Sequence, residues 1–347
     1  MVIGIIGAGI AGLTAGRHLA KAGHEVTILE KSKGLGGRMA TRYAGKDLSY
    51  KMDHGVSWFE ARSPEFQSFT AELLEKKLVK LWGEKFLFFN GDNLASKNPY
   101  SETGAIYTSL NGMNSIGKYL SRWVDVKTGT TAGGLTHIGK NRSKKRTWMI
   151  NLTTSGTFEA DAVIIATPAP QAYGLLNTTI DEINTLKIVS IIDEVHYRPA
   201  FSLMLGYGKD VELPQWEGIQ CRNSPIEFIS NEATKRDNGQ KCSLVIHTSD
   251  SFSRTHRDSD PEQISEILLK EVANITGGWA STPEWKELHF WRYSRPVSIY
   301  NEPFLELEDE KSPLALIGDY FEGNDLDAAY RSGYHLAKHW IDKFGDQ

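Results

Sequence analysis

Cysteine is scarce: Cys221 and Cys242 are the only two in 347 residues. Neither sits in a CxxC pair or at a histidine spacing that binds zinc. A disulfide framework and a zinc site are therefore excluded, and no metal is expected. A reducing, cytoplasmic setting is the expectation. Positive charge is not in excess either, since the net charge is −4. That removes the electrostatic case for a nucleic-acid partner or an anionic membrane surface. No apolar stretch approaches the roughly 20 residues of a membrane span. The apolar N-terminus lacks the basic region of a secretion signal, so the triplets at Asn151, Asn177 and Asn274 read as chance glycosylation matches. Internal repeats and long linkers are missing too. The length exceeds one ordinary domain, and two domains sharing a long interface are expected.

Glycine, by contrast, is concentrated where it carries information. Val2 to Ile6 reads as a buried parallel strand, followed by Gly7-Ala8-Gly9-Ile10-Ala11-Gly12 and a helix to Ala22. Gly7 permits the tight turn, Gly9 lets a pyrophosphate approach the backbone, and Gly12 lets helix and strand pack closely. The helix start, at Ile10 and Ala11, then offers free N–H groups and a partial positive charge to phosphate. Glu30 ends the next strand about 20 residues on, where a carboxylate accepts hydrogen bonds from a ribose diol. Its charge disfavours a ribose 2′-phosphate, and Lys31 follows it beside the same site.

A second cluster, Gly34 to Arg42, follows at once. A nicotinamide dehydrogenase has no need of it. Gly36 and Gly37 let the chain pass close to a large ligand, and Arg38 offers a planar fork of donors to a phosphate oxygen, with Met39 beside it. The alternative for Arg38 is a solvated loop position.

Further along, residues 58–80 read as a helix carrying Phe66, Phe69, Leu73 and Leu74 on one face. Residues 84–108 read as short strands, Met113 to Trp123 as a second helix, and Val124 to Val126 as a strand. Thr130 to Ile138 and Thr147 to Leu152 read as a hairpin, whose basic tip, Lys140 to Arg146, reads as a solvated turn. Ala162 to Pro170 is a buried strand ending in small residues and prolines, where a domain crossing is placed and where Thr167 would face a ligand. Residues 171–307 mix helices (173–187, 261–276) with strands (200–207, 226–230, 242–249, 286–293), without even alternation. A largely antiparallel sheet with helices is expected there. Leu314 to Asp319 is a last strand, with Gly318 at its turn and Asp319 set to bind a polyol hydroxyl. A final helix from Asp325, carrying Asp327 and Ala328 at its start, aims N–H groups at whatever precedes it.

The order of these motifs, with Asp53-His54-Gly55 between them, resembles FAD flavoproteins of the monoamine oxidase and phytoene desaturase type along essentially the whole chain. Within that group the chain is similar to the renalase-like proteins, on three stretches: Tyr197 to Met204, Leu244 to Thr248 with Ser253-Arg254, and Trp291 to Pro296. The resemblance implies an α/β fold: a Rossmann-like FAD-binding domain at 1–58, 105–170 and 308–347. A mixed, largely antiparallel substrate domain would take 59–104 and 171–307. It implies FAD held by Gly7, Gly9, Gly12, Glu30, Arg38, Val126 and Asp319, with Asp53, His54 and Gly55 in a flavin-lining loop. It also implies oxidation of the 2- and 6-dihydro isomers of nicotinamide dinucleotides, with hydride passing to the flavin and then to O2. Covalent flavin in amine oxidases uses a cysteine near the last flavin-binding strand. None follows Cys242, so FAD is expected to be non-covalent.

Amine-oxidising relatives usually place a lysine near the flavin N5, and this chain has none between Lys187 and Lys209. A dihydropyridine needs no general base, only stacking and orientation. His247 is the matched position on its strand, read either as a donor to the substrate or as a satisfied core histidine. Trp291 and Tyr293 are candidate pocket walls or plain core. Tyr197, Pro199, Arg292 and Arg295 are candidate substrate contacts, the arginines for a dinucleotide phosphate or for surface pairs. Two alternatives remain: an amine or carotenoid oxidoreductase, and a flavin-free binding protein of the prenyl-protein chaperone type. Retention of Glu30, Arg38 and Asp319 argues against the second.

Overall fold

The computed structural model describes the whole chain except residues 46, 47, 49, 101–103, 139–145, 180–182, 209, 237–240, 308–311 and 346–347. The apolar run at the N-terminus forms the strand Val2–Ile6, buried along its whole length. It pairs in parallel with Glu25–Glu30 on one side and Ala162–Ile165 on the other. Asp125–Thr128 and Leu314–Leu316 extend the sheet outward, also in parallel, and Leu305–Glu306 closes one edge antiparallel. Strand order thus reverses beside Val2–Ile6, the switch point where open α/β sheets bind ligands. Helices Ile10–Lys21 and Leu326–Phe344 pack on one face. The other face is covered by an antiparallel sheet of Ala132–His137, Trp148–Leu152 and Thr157–Ala160. The sequence suggested only the first two of these strands. Most of the basic tip expected between them lies outside the described residues, while Arg146 pairs with Asp161 at 2.7 Å.

A second sheet has seven strands, in the order Trp285–Pro296, Tyr197–Gly206, Ser243–Thr248, Ile226–Asn231, Gly218–Cys221, Phe86–Phe89, Leu94–Ala95. All pairs are antiparallel except Gly218–Cys221 with Phe86–Phe89. Its longest pair, Tyr197–Gly206 against the edge strand Trp285–Pro296, is irregular between Arg198 and Ala200. Pro199, which has no N–H to give the ladder, sits at that point. Helix Pro261–Thr276 covers one face, setting Ile264, Leu268 and Val272 in a core with Leu205, Leu244 and Ile246.

Two expectations shift. The helix read over 58–80 spans only Pro64–Glu75, because Ser63 caps it and Pro64 opens it. The flanking residues form Phe59–Glu60 and Val79–Leu81, which both pair with Ile106–Ser109. Phe66, Phe69 and Leu73 pack in the core that holds Ile3 and Leu13, so this segment packs on the parallel-sheet side. Residues 173–187 divide between Ala169–Leu176, which starts at the prolines, and Ile183–Asp193. Among the described residues no helix is long and apolar enough to cross a membrane, and no cluster of metal-ligating side chains occurs.

Candidate active site

A cavity of about 410 Å³ opens where the parallel sheet meets the antiparallel one. Its nucleotide end is made of backbone. Gly12 touches the preceding turn so closely that a Cβ there would stand 2.2 Å from the Gly7 carbonyl oxygen. Helix Ile10–Lys21 has no side-chain cap and no acidic residue in its first turn, so its N-terminal dipole is uncompensated. Gly9, Ile10 and Ala11 line the cavity there. The two glycine clusters meet directly: Gly36 N donates to the Ala8 carbonyl at 2.9 Å. Gly36 and Gly37 both adopt positive φ, +102° and +54°. Gly36 and Met39 join the lining. Glu30 is buried, its carboxylate accepting from Ala8 N and Ser32 N at 2.8 Å each.

Other expected contacts lie behind this wall. Lys31 is exposed and Val126 packs against the core. Gly318 donates its N–H to Ser332 Oγ at 3.1 Å. The buried Thr167 hydroxyl has no hydrogen-bond partner among the described residues. Arg38 and Asp319 do line the cavity, but as partners of each other. Arg38 Nη1 and Nη2 donate to the two Asp319 oxygens at 2.6 and 2.8 Å, and Nη1 also donates to the Ser294 carbonyl at 3.1 Å. Tyr197 reaches the same pair, its hydroxyl 3.5 Å from Asp319 Oδ1.

The start of the last helix differs from the sequence reading. Asp325 caps it by accepting from Ala328 N at 2.9 Å, so that N–H is not available to a ligand. Asp327 turns away to accept from Arg62 N and Ser63 N, at 2.8 Å each. Leu326 and Ala329 line the cavity instead of Asp327 and Ala328.

Asp53 also lies behind the cavity, in a fully buried charge cluster. Arg236 Nη2 donates to its Oδ2 at 2.7 Å, and Arg236 Nη1 reaches Glu232 Oε2 at 3.2 Å. Lys235 Nζ is 2.6 Å from Glu232 and 3.5 Å from Asp53. Burial favours the neutral acid, yet Arg236 and then Lys235 hold the Asp53 carboxyl below its ordinary range. This cluster fixes the turn that follows. Gly55 lies so near Arg38 that a Cβ would stand 1.9 Å from the Arg38 carbonyl oxygen. Ser57 Oγ donates to the Asp53 carbonyl at 3.0 Å.

Ser57 in turn meets His247 Nε2 at 3.0 Å, and Ser202 Oγ meets Nδ1 at 3.2 Å. Since Ser57 has given its only hydrogen to Asp53, it accepts from His247 Nε2–H, and Nδ1 accepts from Ser202. Both ring nitrogens are thus committed within the protein. Burial, then Lys235, His54 and Arg295, push the His247 pKa down to about 3, so the ring is neutral. His54 is similarly lowered to about 4 by burial and then by His289 and Arg42. It stacks on Trp291 with centroids 5.3 Å apart, and Trp291 Nε1 donates to the His54 carbonyl at 3.0 Å. Trp291 faces the cavity and His54 supports it from behind.

The far end holds residues the sequence did not single out: Trp58, Tyr100 and Phe228 form an aromatic cluster, and Arg198 and Glu227 face them. Their only sequence signal was aromatic residues on short segments, which usually means core. Arg198 pairs with Glu227 at 3.2 Å. Arg295 stands directly opposite Arg198 across the strand pair. Among the described residues Arg295 has no ion-pair partner, and no lysine lines the cavity. Arg292 and Tyr293 are not here. They line a second cavity, with Tyr197, and Pro199 borders both. The irregular pairing at Arg198 to Ala200 breaks the simple alternation that would have kept Tyr293 beside Trp291.

The residues present fit FAD. Bare backbone at Gly9, the uncapped helix start and the left-handed Gly36-Gly37 turn are what a flavin dinucleotide requires. Neither cysteine lines the cavity, and burial pushes both thiols up to about 12. Comparison with known proteins agrees. Residues 5–73 match an NAD(P)-binding Rossmann-like domain, and residues 84–339 match the flavin containing amine oxidoreductase family. An L-amino-acid oxidase of Naja atra is 39% identical over 77 residues, 22% of this chain and 14% of that protein. A 4,4'-diapophytoene desaturase of Staphylococcus aureus is 56% identical over 39 residues, 11% of this chain and 8% of that protein. The chain thus aligns with only a small part of these relatives' lengths. Cyclohexylamine oxidase from Brevibacterium oxydans superposes with a TM-score of 0.72 at 11% identity, covering 98% of both chains. An engineered putrescine oxidase gives 0.71 at 14% identity, again over 98% of both. These likenesses establish the fold, and with the match over residues 84–339 the chain belongs to the flavin-containing amine oxidoreductases, as an FAD-dependent oxidoreductase.

Proposed function

We propose that this protein oxidises the 2- or 6-dihydro isomers of nicotinamide dinucleotides, with O2 as the final acceptor. Non-covalently bound FAD supplies the hydride acceptor and the route of electrons to O2, giving H2O2. The observation that carries the reading is Arg295, the lining arginine with no ion-pair partner among the described residues. Glu60 and Asp325 pair with Arg62, Glu227 with Arg198, and Asp319 with Arg38. Each of these four lining carboxylates has an arginine partner, with Arg62 shared by two, so the four acids and four arginines balance overall while Arg295 itself stands unpaired among the described residues. A guanidinium without a partner favours an anionic group beside it, and no lining carboxylate is left without an arginine for an ammonium group to pair with. A long hydrocarbon such as a carotenoid gains little from walls with so many charges. The flavin-free reading falls with family membership.

In this reading Trp291 and Trp58 give the dihydropyridine apolar walls, and Arg295 takes a phosphate oxygen. His247, neutral and held by two serines, presents the carbon edge of its ring and excludes water. No general base is needed, because loss of hydride makes the pyridine ring aromatic. Anaerobic mixing of the FAD-loaded protein with the dihydro isomers should bleach the flavin within the mixing experiment, while amines should not. Rapid bleaching by an amine, with none by the dihydropyridines, overturns the proposal.

A further inference from the structure

The second cavity, about 450 Å³, lies against the edge strand Trp285–Pro296. We propose that it is a binding site for a small multiply charged anion of the phosphate class, separate from the flavin-side cavity. Three arginines from different segments line it: Arg254 on helix Asp250–Thr255, Arg257 just after that helix, and Arg292 on the edge strand. His196, before the neighbouring strand, joins them, and among the described residues no carboxylate is part of the lining.

Among the described residues only Arg254 has an ion-pair partner, Asp250 at 2.8 Å. Arg257 and Arg292 are uncompensated cations facing one hollow. This inverts the flavin-side cavity, where one arginine alone lacks a partner. Like charges gathered in one concavity repel, and a bound anion reverses that term. The three arginines are exposed, and half-buried aromatic residues form much of the remaining wall. Tyr197 and Tyr293 meet edge to face with centroids 5.7 Å apart, and Phe290 lies beside them. A phosphate group suits such a site better than a single carboxylate. Its oxygens point in several directions and accept from guanidinium forks on different segments at once.

The proposal does not depend on the reading of the flavin-side cavity, and its test keeps the two apart. FAD-loaded protein, whose own pyrophosphate site is filled, is titrated with inorganic pyrophosphate by calorimetry at low salt. Saturable binding is expected. Arg292→Gln and Arg257→Gln should each weaken it by about tenfold, the loss of one charge-assisted contact. Because Arg295 is itself proposed to take a phosphate oxygen in the other cavity, the titrations are repeated in the Arg295→Gln background, where saturable binding to the second cavity should persist. Unsaturable heats in the parent protein overturn the proposal. So does binding that, in the Arg295→Gln background, survives the further Arg257→Gln/Arg292→Gln changes, or binding lost on Arg295→Gln alone.

Discussion

The two ends of the flavin-side cavity are built by different means. The nucleotide end is main chain: a bare Gly9, an uncapped helix start, and two left-handed glycines pressed against the first turn. The substrate end is side chain: paired charges, a histidine held between serines, and aromatic rings stacked on one another. A main-chain site is sensitive to added side chains in two ways: at Gly12 a Cβ collides with the chain itself, while at Gly9 it would stand in open space left for a ligand. A side-chain site is held by partners far away in sequence, and fails when one of them is removed.

The largest effect should come from the charge cluster behind the substrate end. Arg236→Met leaves Asp53 and Glu232 buried with Lys235 as their only cation. Uncompensated buried charge of this kind costs about 3–5 kcal/mol. Chemical denaturation should show a loss of that size. A loss under about 1 kcal/mol would mean that the cluster relaxes to water and does not hold the site.

At the nucleotide end the expected loss is smaller and more local. Gly12→Ala drives a Cβ into the Gly7 carbonyl and should cost about 1–3 kcal/mol, as overpacking does. Gly9→Ala meets nothing within 4 Å. It should therefore leave stability within about 0.5 kcal/mol while lowering FAD retention on gel filtration. If Gly9→Ala destabilised the protein as much as Gly12→Ala, the backbone there would be serving the fold and not a ligand.

The same contrast explains what the sequence disclosed. The parallel sheet and its glycine turns were legible because each needs a residue type at a fixed local spacing: Gly7, Gly9, Gly12, then Glu30. The antiparallel sheet was legible as alternating apolar segments, but Gly218–Cys221 and Thr157–Ala160 were too short to register. The charge cluster was not legible, since Asp53 and residues 232–236 are joined only by folding. Ser57 and Ser202 around His247 were hidden for the same reason. Arg292 falls in another cavity by simple alternation from Trp291, and Tyr293 joins it because of the irregular register beside Pro199.

A further expected effect is a pH dependence that belongs to the substrate end. In the unfolded chain His54 and His247 take up protons near pH 6.5. In the folded protein His54 stays neutral down to about 4 and His247 to about 3. Between those limits the unfolded state binds more protons, so their contribution is complete above about pH 6.5 and is lost as the pH falls through the folded values. His18, on the nucleotide side, is also lowered to about 4 and adds a parallel slope. The double variant His54→Gln/His247→Gln should therefore flatten the fall in Tm between pH 6.5 and 4.5 without abolishing it. Glutamine keeps a polar side chain at each position but has no proton to gain. An unchanged slope would show that water reaches these rings, and that the substrate end is less sealed than its serine and tryptophan contacts imply.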